Sequence, residues 1–497
     1  MLLDDQPVIE TDDDGIEYVS AWEPQKGSQV DFLNCPIFEV LYEGTRGPGK
    51  TDALLMDFVQ HVGEGWGAEW RGVLFRRTYP ELSDIVAKSQ KWFPLMFPGA
   101  VFNKSDYSWT FPEGEVLMFR HAMKQADYWK YHGHAYPWIG WEELTNWADD
   151  YLYRKMMSCS RSTNPNMPRK YRATCNPYGV GHNWVKRRFK LPQTRGVVQW
   201  NCVDFDGNPE PPRVAIHGNL LENRILLDAD PEYISKLRAA ARNKAELGAW
   251  MYGDWDIVAG GMFDDLWDPK VHVVEPFDVP RSWFIDRSFD WGSSHPFSVG
   301  WWARSDGTDL VYPDGRIMRT VRGDLFRIAE WYGASPRDSN KGLNMGAKEV
   351  ARGIKERETE LIESGLVPTK IYPGPADSAI AGSDNGPSVE DDMLAEGVEW
   401  EMAKKGPGSR KQGWEQMRKL FRSALNLDLE GNPRNLPREE PAMYFSRRCD
   451  KAIELVPVLP RDDKDLDDVD TDAEDHIGDE VRYKSRHEGE TVRRKTF

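Results

Sequence analysis

Cysteine is scarce and scattered: five in 497 residues, Cys35, Cys159, Cys175, Cys202 and Cys449, an odd number with no CxxC pair. That usage excludes a disulfide framework and argues against a zinc site, so reduced thiols are expected. Charges interrupt every apolar run before about eighteen residues, and the mean hydropathy is -0.65. No membrane-spanning helix is expected. The opening MLLDDQPVIETDDDG carries acid where a secretory leader needs a basic start and an apolar stretch, which predicts a protein that works where it is made. Basic charge is also in deficit, with 64 Lys and Arg against 81 Asp and Glu and a formal net charge of -17. An even spread of that charge would oppose nucleic-acid binding. The acid is instead held in blocks: eleven carboxylates against two bases in 461–480, and six against none in the first fourteen residues.

What is present indicates two globular domains. A chain of this length, 40% hydrophobic and 29% charged, exceeds one ordinary core. The strongest break is Gly260-Gly261. Before it, 231–247 reads as a helix, followed by the aromatic turn Trp250 to Trp255. Strand-like and helix-like stretches alternate in both halves, which predicts α/β architecture twice over. Most of the 21 tryptophans are expected in cores. Between the acidic blocks lie basic stretches, Lys186, Arg187, Arg188, Lys190 and Arg195, then Lys404, Lys405, Arg410 and Lys411. Each reads either as a solvated face or as a phosphate contact.

In the first half, FEVLYEG (38–44) alternates like a strand and runs into Gly44-Thr-Arg-Gly47-Pro-Gly49-Lys50-Thr51, a GxxxxGKT loop. The following segment places Leu55, Phe58, Val59 and Val62 on one helical face with Gly63 as its cap, completing the strand–loop–helix context of a phosphate-binding loop. Glycines let backbone N–H groups approach phosphates, Lys50 neutralises the β/γ oxygens, and Thr51 reaches Mg²⁺. Arg46 places a guanidinium near the γ-phosphate in cis. A second strand, 136–141, ends in Glu142 and Glu143, which divide between metal orientation and activation of water, or simply mark a strand end meeting solvent. Arg172 to Pro177 reads as a third strand whose Asn176 senses the γ-phosphate, or as an Asn-Pro turn. In the second half, Asp290 and Asp377 each end a strand-like stretch. Asp475 and Asp479 share one face of a helix, with Ile477 and Val481 on another. Three such carboxylates from separate elements can clamp two divalent ions about 3.5–4 Å apart for in-line attack on a phosphodiester, the competing reading being a solvated acidic helix. Glu330 is an additional acid or a strand-edge Glu.

Taken in order, over about residues 22 to 485, these segments resemble the large terminase subunit of tailed bacteriophages, the motor that packages DNA into proheads. Gln29 to Leu33 is similar to the family's adenine-reading glutamine segment, and Val73 to Leu82 to its next strand and turn. Glu142-Glu143 and Thr174 to Pro177 sit where the family has its Walker B acids and coupling motif. Asp290, Asp377 and Asp479 match its nuclease pattern, and Lys404 to Trp414 its basic segment before a helix. The chain departs from the family in having Glu before Glu, and Trp-Ile-Gly-Trp in place of four aliphatics. The long interval from Asp290 to Asp377 suggests an insertion near 333–365.

The resemblance implies an acidic segment (1–21) and a P-loop ATPase domain (22–259) with a parallel-rich sheet and a lid or linker at 200–259. An RNase H-like nuclease domain (262–485) and a basic tail (486–497) would follow. It implies ATP with Mg²⁺ at the first site, held through Gln29, Gly44, Gly47, Gly49, Lys50, Thr51, Glu142 and Asn176, with Glu143 and Arg46 catalytic. Two Mg²⁺ or Mn²⁺ ions at Asp290, Asp377 and Asp479 are implied at the second. The implied partners are double-stranded DNA, the portal protein, a small terminase subunit and further copies in a ring, usually pentameric, with no membrane. The implied location is the host bacterial cytoplasm, transiently on the prohead portal and absent from the mature virion. Arg120, Arg161 and Arg172 are candidates for an arginine acting in trans. The rival readings are a repair or restriction helicase–nuclease, although no second helicase core is recognisable after residue 260, and a non-enzymatic head-assembly or DNA-clamping protein, which intact Lys50, Thr51 and Glu143 oppose.

Overall fold

The computed structural model describes residues 8–11, 17–204, 207–241, 244–256, 261–335, 341–368, 370–382, 386–462, 464–471 and 473–487. Most of the acidic segment 1–21, Gly260 at the expected break, and the tail beyond residue 487 lie outside the described residues. The chain divides into two units, Met1–Ala259 and Gly260–Phe497. Among the described residues no helix is long and apolar enough to cross a membrane, and the five cysteines are unpaired.

In the first unit a hairpin of β1 (Val8–Thr11) and β2 (Glu17–Ser20) precedes one eight-stranded sheet. The sheet is built from β3 (Glu39–Gly44), β4 (Arg71–Arg76), β5 (Val101–Asn103), β6 (Ser108–Thr110), β7 (Val116–His121), β8 (Trp138–Trp141), β9 (Lys170–Cys175) and β10 (Arg213–Gly218). The spatial order is β10-β3-β9-β8-β4-β7-β6-β5. Neighbours from β10 to β7 are parallel, while β6 and β5 close the edge antiparallel. Parallel neighbours need crossover segments, so strands that are distant in sequence meet side by side with their C-terminal ends together. That is how β3, β9 and β8 come to present one shared rim.

Burial within a covered parallel sheet explains a departure from the alternation read in FEVLYEG: all six residues of β3 are buried. Its two carboxylates are therefore neutralised internally. Arg188 donates to Glu39 at 2.6 and 2.8 Å, and Glu43 accepts from Arg195 at 2.7 Å and from the Trp255 indole at 2.7 Å. Burial alone would raise Glu39, but Arg188 outweighs it and holds the carboxyl below its usual range. Arg188 and the partly exposed Arg195, read from sequence as part of a basic face, are thus engaged by buried carboxylates of the unit.

The helix Lys50–Val59 follows the loop and buries Leu55, Phe58 and Val59 as its periodicity predicts; Val62 lies past its end. It also buries Asp57, which accepts from Lys170 at 3.0 Å and the Trp138 indole at 2.8 Å and pairs with Arg172 at 3.2 Å. This trio ties the helix to β8 and β9. Asp57→Asn strips the counter-charge from two buried cations, and a loss of about 3–5 kcal/mol is expected, read as a lower urea midpoint for the unit carrying the loop. A midpoint equal to wild type would show that the trio contributes nothing.

The second unit contains β11 (Val273–Val274), β12 (Phe284–Asp290), β13 (Ser298–Arg304), β14 (Leu310–Val311), β15 (Ile317–Met318), β16 (Leu325–Tyr332), β17 (Pro375–Ala376), β18 (Glu401–Met402) and β19 (Met443–Ser446). Its seven-stranded sheet has the order β11-β19-β16-β13-β12-β17-β18. An antiparallel meander, β12-β13-β16, is extended beyond β12 by parallel β17 and β18, an RNase H-like order. Both units are thus α/β with mixed, largely parallel sheets. The interval in which an insertion is suspected, near 333–365, contains the helix Ala347–Glu363. It links β16 to β17 on the far side of β12, and a connection leading back into the sheet parallel to β12 has to cross over in this way.

Candidate active sites

Three adjacent strand ends build the first site. Gly44, Gly47 and Gly49 all have positive φ, 135°, 86° and 80°, a region that favours glycine. At Gly44 a Cβ would stand 2.3 Å from the Gly218 carbonyl oxygen, so β3 can turn into the loop only without a side chain. The buried Lys50 ammonium donates to the Thr45 carbonyl at 2.6 Å and to Asn176 Oδ1 at 3.0 Å. Burial lowers its pKa while Glu143 draws it back up. Asn176, just past β9, also donates through Nδ2 to both Glu143 oxygens, at 3.0 and 3.1 Å. It therefore links Lys50 to Glu143. Glu143 itself adopts a left-handed conformation, φ 54° and ψ 60°, a strained setting of the kind that collects at functional positions.

Glu142, at the end of β8, takes a different role from its neighbour. Thr51 Oγ1 donates to its Oε1 at 2.6 Å and Arg76 pairs with its Oε2 at 2.8 Å. Burial pushes this carboxyl up to about 6 despite Arg76 and Thr51, which favour its charged form. A hydroxyl and a buried carboxylate held together are hard oxygen donors of the kind Mg²⁺ prefers, so these residues fit the metal. Gln29 braces the loop: Nε2 donates to the Pro48 and Gly49 carbonyls at 3.0 and 3.1 Å, and Oε1 accepts the Gln25 N–H at 2.7 Å. The Arg46 guanidinium lies over the Trp250 ring, 4.0 Å from its centroid.

Several contributors escaped sequence reasoning. Arg76, Trp250 and Asn223, whose side chain donates to the Gly47 carbonyl at 2.6 Å, carry no local motif that marks them. Of the candidate trans arginines, Arg172 is buried, bonded to the Cys35, Ile37 and Phe38 carbonyls as well as paired with Asp57. It cannot reach another molecule. Arg120 bonds to Asp106, and Arg161 to the Gly133 carbonyl at 2.7 Å.

The second site lies at the C-terminal ends of β12 and β17. Pairing of Phe289 with Ala376 puts Asp290 and Asp377 at the same level. Asp479 comes from the helix His476–Ser485, whose Ile477 and Val481 are buried. Burial, reinforced by Asp479 and Asp377, pushes Asp290 up to about 7, although a 3.3 Å contact with His476 Nδ1 works the other way. Asp377 accepts from Lys405, from the Ala379 N–H at 2.7 Å and from Tyr483 at 3.1 Å, and its pKa is lowered although burial alone would raise it. Asp479 pairs with Arg410 at 3.5 Å and Arg482 at 3.0 Å. Arg410 also pairs with Asp468 at 2.7 Å and Asp475 at 2.9 Å.

Among the described residues no group of three or more His, Cys, Asp and Glu side chains is arranged to hold a metal ion; Lys405 and Arg410 instead engage the carboxylates. Carboxylate oxygens are nonetheless the donor type that divalent cations take, and the charge of Asp290 is disfavoured by burial and by Asp479 and Asp377 beside it. Glu330 lies apart from them, accepting the Lys451 and Ala452 N–H groups at 2.6 and 3.1 Å at the start of the helix Asp450–Leu455. The basic segment is not an open set of four cations: Lys405 and Arg410 are paired as described, and Lys411 pairs with Asp465 at 2.6 Å.

No family model and no curated protein matches the chain. Among solved structures it is similar to the large terminase of a thermophilic bacteriophage, with 15% identity, 93% of this chain and 98% of that one covered, and a TM-score of 0.38. The nuclease domain of the P22 large terminase is 16% identical, over 45% of this chain and 89% of that one, with a TM-score of 0.29. The HK97 bacteriophage large terminase is 10% identical, over 95% and 96%, with a TM-score of 0.42. Across nearly its whole length, then, the chain is similar to large terminases of bacteriophages.

Proposed function

We propose that the chain is a DNA-packaging motor subunit of the large-terminase type, whose first unit hydrolyses ATP to move double-stranded DNA and whose second unit cuts it. The observation that carries the reading is the Lys50–Asn176–Glu143 chain at the rim of β3, β9 and β8. In this reading the loop N–H groups and Lys50 hold the phosphates of ATP. Glu143 accepts the proton of the attacking water, oriented by the two Asn176 hydrogen bonds. Because Asn176 also accepts from Lys50, a change at the γ-phosphate is transmitted to the base. Arg46, released from Trp250, supplies positive charge toward the γ-phosphate. At the second site Asp290, Asp377 and Asp479 would hold the metals, and Lys405 and Arg410 balance the charge of the cluster. Magnesium at Thr51 and Glu142, and two magnesium or manganese ions at the three aspartates, would neutralise developing phosphoryl charge and lower the pKa of water.

The same reading makes 22–259 the motor domain and 262–485 the nuclease domain. Its partners are duplex DNA, a portal, a small recognition subunit and further copies in a ring, acting in the bacterial cytoplasm on the prohead. Glu143→Gln tests its centre. An amide cannot accept the proton, so ATP binding should persist while turnover falls by about 10²–10⁴-fold, measured by equilibrium binding and phosphate release. Normal turnover would place the base elsewhere.

A further inference from the structure

We propose that a basic groove on the second unit, formed outside the three aspartates, seats the sugar-phosphate backbone of duplex DNA. This rests on the DNA-processing reading and assigns a surface that reading does not use. The groove encloses about 1010 Å³. One wall is the outer face of the helix Ser409–Ala424, where Lys411, Glu415 and Lys419 recur at helical spacing. Seven Lys and Arg line the groove against two carboxylates, Glu415 and Asp467, although the whole chain has 64 bases to 81 acids. The local sign of charge is inverted.

Neighbours temper only part of that charge. Arg418 pairs with Asp265 and Lys411 with Asp465, at 2.5 and 2.6 Å. Lys404 and Lys419 are exposed. Arg486 donates to neutral groups, the Ser409 carbonyl at 2.9 Å and Gln412 Oε1 at 3.3 Å.

Strand register gives the groove its direction. Lys404 follows β18, whose Met402 is level with Ala376 and hence with Phe289, beside the aspartates. Arg304, also in the lining, pairs with Phe284 at the opposite end of β12. The lining therefore follows the sheet for about 20 Å, a little over half a turn of duplex. Its aromatic residues are Trp414 and His487. Trp414 is buried, and His487 is engaged by Glu401 at 2.6 Å and Asp286 at 3.5 Å. Single-strand sites depend on rings free to stack with bases; cations without such rings suit a duplex backbone, read without regard to sequence.

The test compares the full chain with its Lys404→Ala/Lys419→Ala double variant, in EDTA to prevent cleavage. Binding of a 30-base-pair mixed-sequence duplex and of the matching single strand is followed by fluorescence anisotropy across a salt series. The slope of log K against log salt should fall by about 0.9 for each lysine on the duplex, with wild type preferring duplex and ATP turnover without DNA unchanged. An unchanged slope, or a preference of wild type for the single strand, overturns the proposal. Neither outcome touches the packaging reading, which fails separately if the wild-type chain neither turns over ATP nor cuts DNA with Mg²⁺ or Mn²⁺.

Discussion

Replacing Lys50 with alanine should reduce ATP turnover at least about a thousandfold, while metal-dependent cleavage of naked DNA persists. The ammonium is buried and fixed between the Thr45 carbonyl and Asn176 Oδ1, which in the proposed reading holds it ready for the phosphates. Alanine removes that charge and also the hydrogen bond that restrains Asn176, and with it the orientation of Glu143. Binding of a non-hydrolysable ATP analogue should weaken as well, because phosphate capture and base alignment share this one side chain. Phosphate release, analogue binding and nicking of plasmid DNA in Mn²⁺ are the three measurements. In the proposed reading, phosphodiester cleavage depends on Asp290, Asp377 and Asp479 in the other unit. If Lys50→Ala abolished nicking too, the two activities would not be separable and the two-site account would be wrong.

Asp290→Asn should produce the converse: cleavage lost by about three orders of magnitude or more, with ATP turnover intact. A charged metal ligand contributes several kcal/mol of transition-state stabilisation, and about 1.4 kcal/mol corresponds to a factor of ten. Asp290 sits at the centre of the cluster, raised by burial and by both Asp479 and Asp377, so every charge placed there acts on it. Asp479→Asn should behave alike. Asp475→Asn should do less: Asp475 precedes the helix at its N-terminus and shares Arg410 with Asp479, and it contributes less directly than Asp479 to the field at Asp290. Nicking and ATPase assays on the three variants decide the register. A scan in which Asp475 mattered and Asp479 did not would move the site by one helical turn.

The GxxxxGKT loop, the α/β class of both halves and the carboxylates at strand ends are legible in the chain alone. Each is a contiguous signal: GxxxxGKT needs glycines at fixed offsets because the backbone must adopt positive φ there, and Asp479 lies on a helix whose apolar positions declare its face. What the sequence did not determine was which charges are spent inside the protein. Arg188 and Arg195 read as a basic face, yet they neutralise Glu39 and Glu43 on a strand far away in the chain. Lys405, Arg410 and Lys411 read as an open cationic loop, yet all three are held by carboxylates. Sequence distance also does not show that β17 lies on the other side of β12 from β16, with the helix Ala347–Glu363 between them in the chain. Arg76 and Trp250 were legible only as parts of a strand-and-turn segment and an aromatic turn, with nothing to tie either to the loop. Local backbone geometry is encoded by neighbouring residues, whereas burial of a charge depends on a partner that only the crossover topology brings within reach, and the cost of leaving such a charge unpaired makes that partner decisive.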